Sequence, residues 1–181
     1  TDITPSGGTA KQAGKGDPVN IGDIIRVKSK SRAEVAFRDG NVLRLAENTR
    51  LKITQYMFGK NIDSNQQLDL YRGKVRTVVN TAIKGAGRFE VHTPTAVAGV
   101  RGTDHFTWHI GGVSGGAFKK GYGYVYNRRA PDRRLNIGPG QAFVVGGPGL
   151  PPELRDASDL EMQQHERDTD PNGGPGSASL S

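Results

Sequence analysis

The sequence contains no cysteine, which excludes structural disulfides and thiolate metal sites. Aromatic residues are scarce at 7%, with a single tryptophan, and hydrophobic residues reach only 34%, below the globular average. No apolar run approaches the roughly 18 residues that a membrane-spanning helix needs. The cluster Gly111–Gly116 lacks the Lys-Ser/Thr and helix of a phosphate loop. Carboxylates in the body of the chain, such as Asp23 and Asp39, fall in turns. With no convergent acid, base and nucleophile, the reading is a non-enzyme without cofactor or metal.

Glycine is abundant, at 26 of 181 residues, about twice the usual share. So much glycine weakens helices and suits short strands joined by tight turns. Apolar residues alternate in Ile24–Val27, Ala33–Phe37, Val42–Leu45, Leu51–Thr54, Leu68–Tyr71 and Val75–Val79. The pattern continues through Phe89–Val91, Ala96–Val100, Phe106–Ile110, Tyr122–Tyr126, Leu135–Ile137 and Gln141–Val145. Asp39-Gly40, Lys84–Gly87, Thr93-Pro94 and Gly111–Gly116 mark turns, and the polar stretch Met57–Gln67 reads as a hairpin loop. The prediction is one all-β domain over residues 17–146, a compact β-solenoid-like or sandwich fold.

Residues 1–16 are too polar to bury a face alone and read as a flexible N-terminal arm. Residues 147–181 read as an acidic tail, with a short helix over Glu153–Arg167 and a Gly/Pro/Ser-rich end from Asp170. Charge divides the same way. Residues 17–146 hold 21 Lys and Arg against 10 Asp and Glu, and residues 147–181 hold 2 against 7. A basic body suits nucleic acid, anionic glycans, a membrane surface or an acidic tail, its own or a neighbour's, and charge alone does not choose among them. Thr1 follows no charged-then-apolar leader, which reads as a secreted chain with its signal removed, located in the periplasm or at the cell surface.

The order of short motifs resembles the FecR domain of bacterial envelope proteins. The carriers are Gly22-Asp23, Asp39-Gly40, Leu70-Tyr71-Arg72-Gly73-Lys74-Val75, and the run Thr93-Pro94 through Val100-Arg101-Gly102-Thr103. Gly138-Pro139-Gly140-Gln141 closes the series, so the resemblance spans about residues 17–146. It implies a compact β-rich domain outside the cytoplasm. Iron-signalling members place that domain after a cytoplasmic anti-sigma segment and a membrane helix, and this sequence shows neither.

Several residues stand out as binding or structural candidates. Gly102 permits backbone that a Cβ forbids, Arg101 offers a planar fork of donors for an anion or for loop carbonyls, and Thr103 bonds locally. Arg72, Lys74 and Arg76 alternate as a basic solvent-facing stripe, and Arg128 and Arg129 belong to a further cluster. Tyr122, Tyr124 and Tyr126 share a face, fit to stack on sugars or to pack under the tail. His105 and His109 lie about 14 Å apart along one strand, too far for one ion, and read as solvated surface histidines.

The main functional expectation is a structural module, a subunit of a surface assembly or filament whose arms contact neighbours. The alternatives are a periplasmic FecR-type signalling domain with a protein partner, and an anionic-polysaccharide-binding module. Nucleic acid is not an expected partner.

Overall fold

Alternating apolar residues build pleated strands with one buried face, and most of the chain obeys that rule. The computed structural model describes residues 1–59, 62–79, 87–173 and 177–180. The first seven strands are β1 (Asp2–Thr4), β2 (Lys11–Gln12), β3 (Ile24–Arg26), β4 (Arg32–Ala36), β5 (Val42–Leu45), β6 (Arg50–Gly59) and β7 (Ile62–Val78). They are followed by β8 (Arg88–His92), β9 (Ala96–Ile110), β10 (Val113–Asn127), β11 (Ala130–Ile137), β12 (Gln141–Val145) and β13 (Glu153–Asp156). One helix, α1 (Asp159–Thr169), precedes β14 (Ser177–Leu180). The fold is all-β.

Three long strands organise it. Residues 65–69 of β7 lie between β6 and β8, whereas its residues 75–78 lie between β5 and β9. β9 pairs with β8 over residues 97–100 and with β7 over residues 104–109. β10 runs along β9 and carries β12 beside its first part and β11 beside its second. The ladders therefore sort into two halves joined by strands that pass from one to the other. A single buried cluster takes Leu51, Leu70, Phe89 and Val125 from the first half, and Leu43, Val75, Phe118 and Phe143 from the second. The halves close over one core, in the manner of a sandwich whose strands change sheet.

Crossing between halves demands unusual backbone. Gly73 has φ +94°, and a Cβ there would run into Cα and Oγ1 of buried Thr49. That hydroxyl donates to the Lys74 carbonyl at 3.1 Å and accepts from the Lys74 amide at 3.2 Å, so it cannot move aside. Gly102, with φ +63°, bends β9 opposite a register shift around Lys120 of β10. Gly73→Ala is expected to destabilise the fold by about 2–4 kcal/mol, the sum of left-handed strain and overpacking. A denaturant midpoint that does not move would show that Thr49 yields.

Several expectations need correction. Met57–Gln67 is not a loop, since β6 and β7 pair through it, including Tyr56 with Gln66 and Met57 with Asn65. Gly111-Gly112 turns the chain, but Gly115 and Gly116 lie within β10, their bare faces covered by the Trp108 and Phe143 rings. Glu153–Asp156 forms a strand on β12, and the helix starts later, capped by Ser158, whose Oγ accepts the Glu161 amide at 3.1 Å. The N-terminal arm is anchored, with Ile3 buried and paired with Ile25. Ser177–Leu180 adds a parallel strand to β4. Most of the turn expected at Lys84–Gly87 lies outside the described residues.

Candidate functional site

In the second half, the strands have two covered faces. His105 and Thr107 point with Phe118 toward the core, while Lys74, Arg76, Asp104, Phe106 and Trp108 share the outer face. That outer face is the stripe expected to meet solvent. Instead α1 lies on it, because the helix brings carboxylates to the level of the cations. Lys74 Nζ bonds Asp168 Oδ2 at 2.6 Å and His165 Nδ1 at 3.0 Å. Arg76 grips Asp104 with two bonds of 2.8 and 2.7 Å and lies 3.6 Å from Glu166, which also pairs with Lys119. Arg32 Nε donates to the Asp168 carbonyl at 2.9 Å.

Apolar contact is thin but placed at the centre. The His165 ring stacks on Trp108 at 4.8 Å and lies 5.2 Å from Phe106, while Met162 and Ala157 pack on the small cluster Phe106, Ala117 and Ala142. Within α1 only His165 and Thr169 are buried. Burial, and then the Lys74 charge, lower the His165 pKa below its usual 6.5. A neutral ring fits the geometry, since Nδ1 must accept from the Lys74 ammonium. Charge and ring stacking, more than a broad apolar stripe, hold the helix down.

The expectation of solvated histidines fails at His105. It is fully buried, 5.1 Å from the Phe118 ring, and burial pushes its pKa down to about 4 against the opposing pull of Asp104. His109 is half-buried and bonds Ser114 Oγ at 2.9 Å. Among the described residues no three His, Asp or Glu side chains converge to hold a metal ion.

A cleft of about 580 Å³ opens at the end of this sheet, bounded by Tyr71, Arg72, Lys74, His109, Ile110 and the Asp168 end of α1. Its apolar rim is exposed, at 41% for Tyr71 and 57% for Ile110. Arg50 lies over the Tyr71 ring at 5.3 Å, and Arg72 points to solvent with no charged partner among the described residues.

A family model described as FecR protein matches residues 23–115, just over half of the chain. The chain belongs to the FecR family. The matched region runs from before β3 into β10 and so contains the Lys74–Arg76 face, while α1 lies beyond it. Two crystal structures of a candidate anti-sigma factor from Parabacteroides distasonis ATCC 8503 share this fold, each with a TM-score of 0.62 and 16% identity. The match covers 77% of this chain and 62% of that protein, so the chain spans less than two thirds of the neighbour's length. No curated protein matches the sequence. Among the described residues no helix is long and apolar enough to cross a membrane.

The FecR motif residues divide by role. Thr93 organises its turn, bonding the Ala96 amide at 2.8 Å and Ser114 Oγ at 2.7 Å. Arg128 staples the same turn through the Thr93 carbonyl at 3.1 Å, whereas Arg129 is exposed and only its amide is held, by Asn127. Thr103 is buried beside His105, but Arg101 is exposed and ties no loop carbonyls. The tyrosines do not pack under the tail. Tyr126 stacks on Tyr124 at 6.2 Å, Tyr124 bonds Glu90, and Tyr122 stands 72% exposed. Sequence reasoning missed His165, Glu166 and Asp168 individually, and the charge split between body and tail left docking of the tail as only one of several open readings.

Proposed function

We propose that this FecR domain is a regulatory module that acts outside the cytoplasm by binding a protein partner, and performs no chemistry itself. The observation that carries this reading is the cleft between Tyr71 and Ile110. Exposed apolar and aromatic side chains beside an unpaired arginine are the composition of protein-binding hot spots. Both acids on the cleft wall, Glu47 and Asp168, are already engaged by the Lys30 amide and by Lys74. The remaining field is positive, which suits a partner segment that presents an apolar side chain flanked by carboxylates. Family membership and the fold shared with a candidate anti-sigma factor support a regulatory role in the same direction.

A filament built by exchanged arms draws less support, because β1, β2 and β14 find partners within the chain. β1 and β2 extend the sheet beyond β3, and β14 lies along β4.

A photo-crosslinking residue at Ile110, with one at exposed Lys11 as control, tests the proposal in the native cell envelope. A discrete adduct to one other protein is expected from position 110 and none from position 11. A ladder of self-adducts from both positions would favour assembly, and no adduct at all would defeat the partner at this cleft.

A further inference from the structure

A second depression, of about 400 Å³, lies in the other half of the domain, where Arg88, Arg101 and Arg134 surround Tyr122, Gly123 and Tyr124. Three guanidinium groups share this small area, and no Asp or Glu is among the described residues that line it. Glu90, close by, is occupied by Tyr124 Oη and by His92 Nε2. Burial, and then that bond, raise the Tyr124 pKa, so its hydroxyl stays protonated and fixed on Glu90.

Arrangement matters as much as charge. The Arg134 guanidinium carbon lies over the Tyr124 ring, 3.3 Å from its centroid, a cation–π contact that holds the fork beside the depression. Tyr124 can lie that low because Gly99 beneath it has no side chain. Neither Arg101 nor Arg88 forms an ion pair among the described residues, although Arg88 feels the Glu90 charge. The Tyr122 ring rests near Gly138, where a Cβ would come within 3.1 Å of it, and most of its surface is open to solvent. An exposed, supported aromatic ring beside arginine forks is a complete recognition set. The ring offers a face to C–H groups, and the forks offer bidentate donors to a carboxylate.

We infer that this depression is a binding site for an acidic saccharide, with a uronate carboxylate on Arg101 and Arg134 and the sugar ring against Tyr122. The volume suits one or two sugar residues. A single open ring is too little for a nucleic-acid strand, which is held by successive stacked bases along a groove. The site goes beyond the protein-binding proposal and is separate from it, since Ile110 and Tyr71 line the other cleft. Failure of crosslinking at Ile110 leaves the saccharide site untouched.

The test is calorimetric titration of the full chain with trigalacturonic acid, its methyl ester, and a short single-stranded DNA. Trigalacturonate is expected to bind, and its ester to bind at least about tenfold more weakly because the charge-assisted bonds are lost. Arg101→Gln and Tyr122→Ala are each expected to weaken binding about tenfold, and Arg72→Gln, at the other cleft, to leave it unchanged. Arg101→Lys keeps the charge without the fork and is expected to fall between. Since both side chains are exposed, thermal melts should match the parent, and a variant that melts early is replaced by Arg134→Gln. Equal weakening by Arg72→Gln would mean diffuse charge attraction and overturn the site. So would equal binding of the ester, unchanged binding by Tyr122→Ala, or tighter binding of DNA than of trigalacturonate.

Discussion

Arg76→Ala is expected to cost about 3 kcal/mol of folding stability, the largest loss foreseen for any single charged residue of the domain. Its guanidinium and the Asp104 carboxylate are each only 13% and 12% exposed, and they are joined by two short bonds. Truncation leaves Asp104 in the middle of β9, under α1, with its charge uncompensated. Removing one member of such a pair costs far more than removing both, because the penalty is the stranded charge. Arg76→Met combined with Asp104→Leu should therefore recover most of the loss. Urea midpoints for the two single variants and the double variant measure this directly. If the double variant is as unstable as Arg76→Ala, the stranded-charge account is wrong.

Acid is expected to lift α1 while the β-sheets remain. Asp168 and Glu161 have pKa values lowered from 3.8 and 4.5, and His165 has one lowered from 6.5. For Glu161 the bond to Arg155 is the main cause, while for Asp168 the bonds to Lys74 and Gln164 outweigh burial. For all three, the released helix binds more protons than the docked one. Docking is thus favoured at neutral pH, begins to weaken below about 6.5 as free His165 would gain a proton, and weakens further toward pH 3 as the carboxylates follow. His165 faces Lys74, Glu161 and Asp168, so its protonation would place a second cation against the ammonium. The single tryptophan, Trp108, lies under His165 and reports the event by its fluorescence. Charge reversal by Glu166→Lys with Asp168→Lys should produce the acid-like emission at pH 7, with the far-ultraviolet strand signal kept. Emission that stays constant from pH 7 to 4 would mean that ring packing alone holds the helix.

The strands were legible wherever one face was apolar and the other polar. Leu51 and Ile53, Leu68 and Leu70, and Phe89 and Val91 all point inward as their alternation requires. Polarity misled over Met57–Gln67, since that hairpin is held by main-chain pairing and its polar side chains carry no alternation to read. Gln66, for instance, is buried against Asn41 and Asp39. Alternation also separates the faces of Lys74–Arg76 and His105–Trp108 correctly, yet it cannot say what covers an outer face. That is decided by a helix some 90 residues away, and so Lys74 and Arg76 turned out paired, while His105, on the inner face, is buried against Phe118. The depression around Tyr122 was legible only in part. Arg101 and Tyr122 stood out as residues, but Arg88 and Arg134 join them only because β9 and β10 place them on one surface.

The bond between Lys74 and Asp168 spans 94 residues, and that between Arg32 and the Asp168 carbonyl spans 136. Loops of that length close late, after the shorter-range hairpins have formed. On the ribosome β3 to β12 emerge before α1, and the cationic face stays bare until that helix is made. Contacts made after the rate-limiting step govern how fast a protein comes apart rather than how fast it assembles. The acidic helix therefore acts as a latch on lifetime: loosening it should shorten survival of the native state while leaving refolding speed nearly as it was.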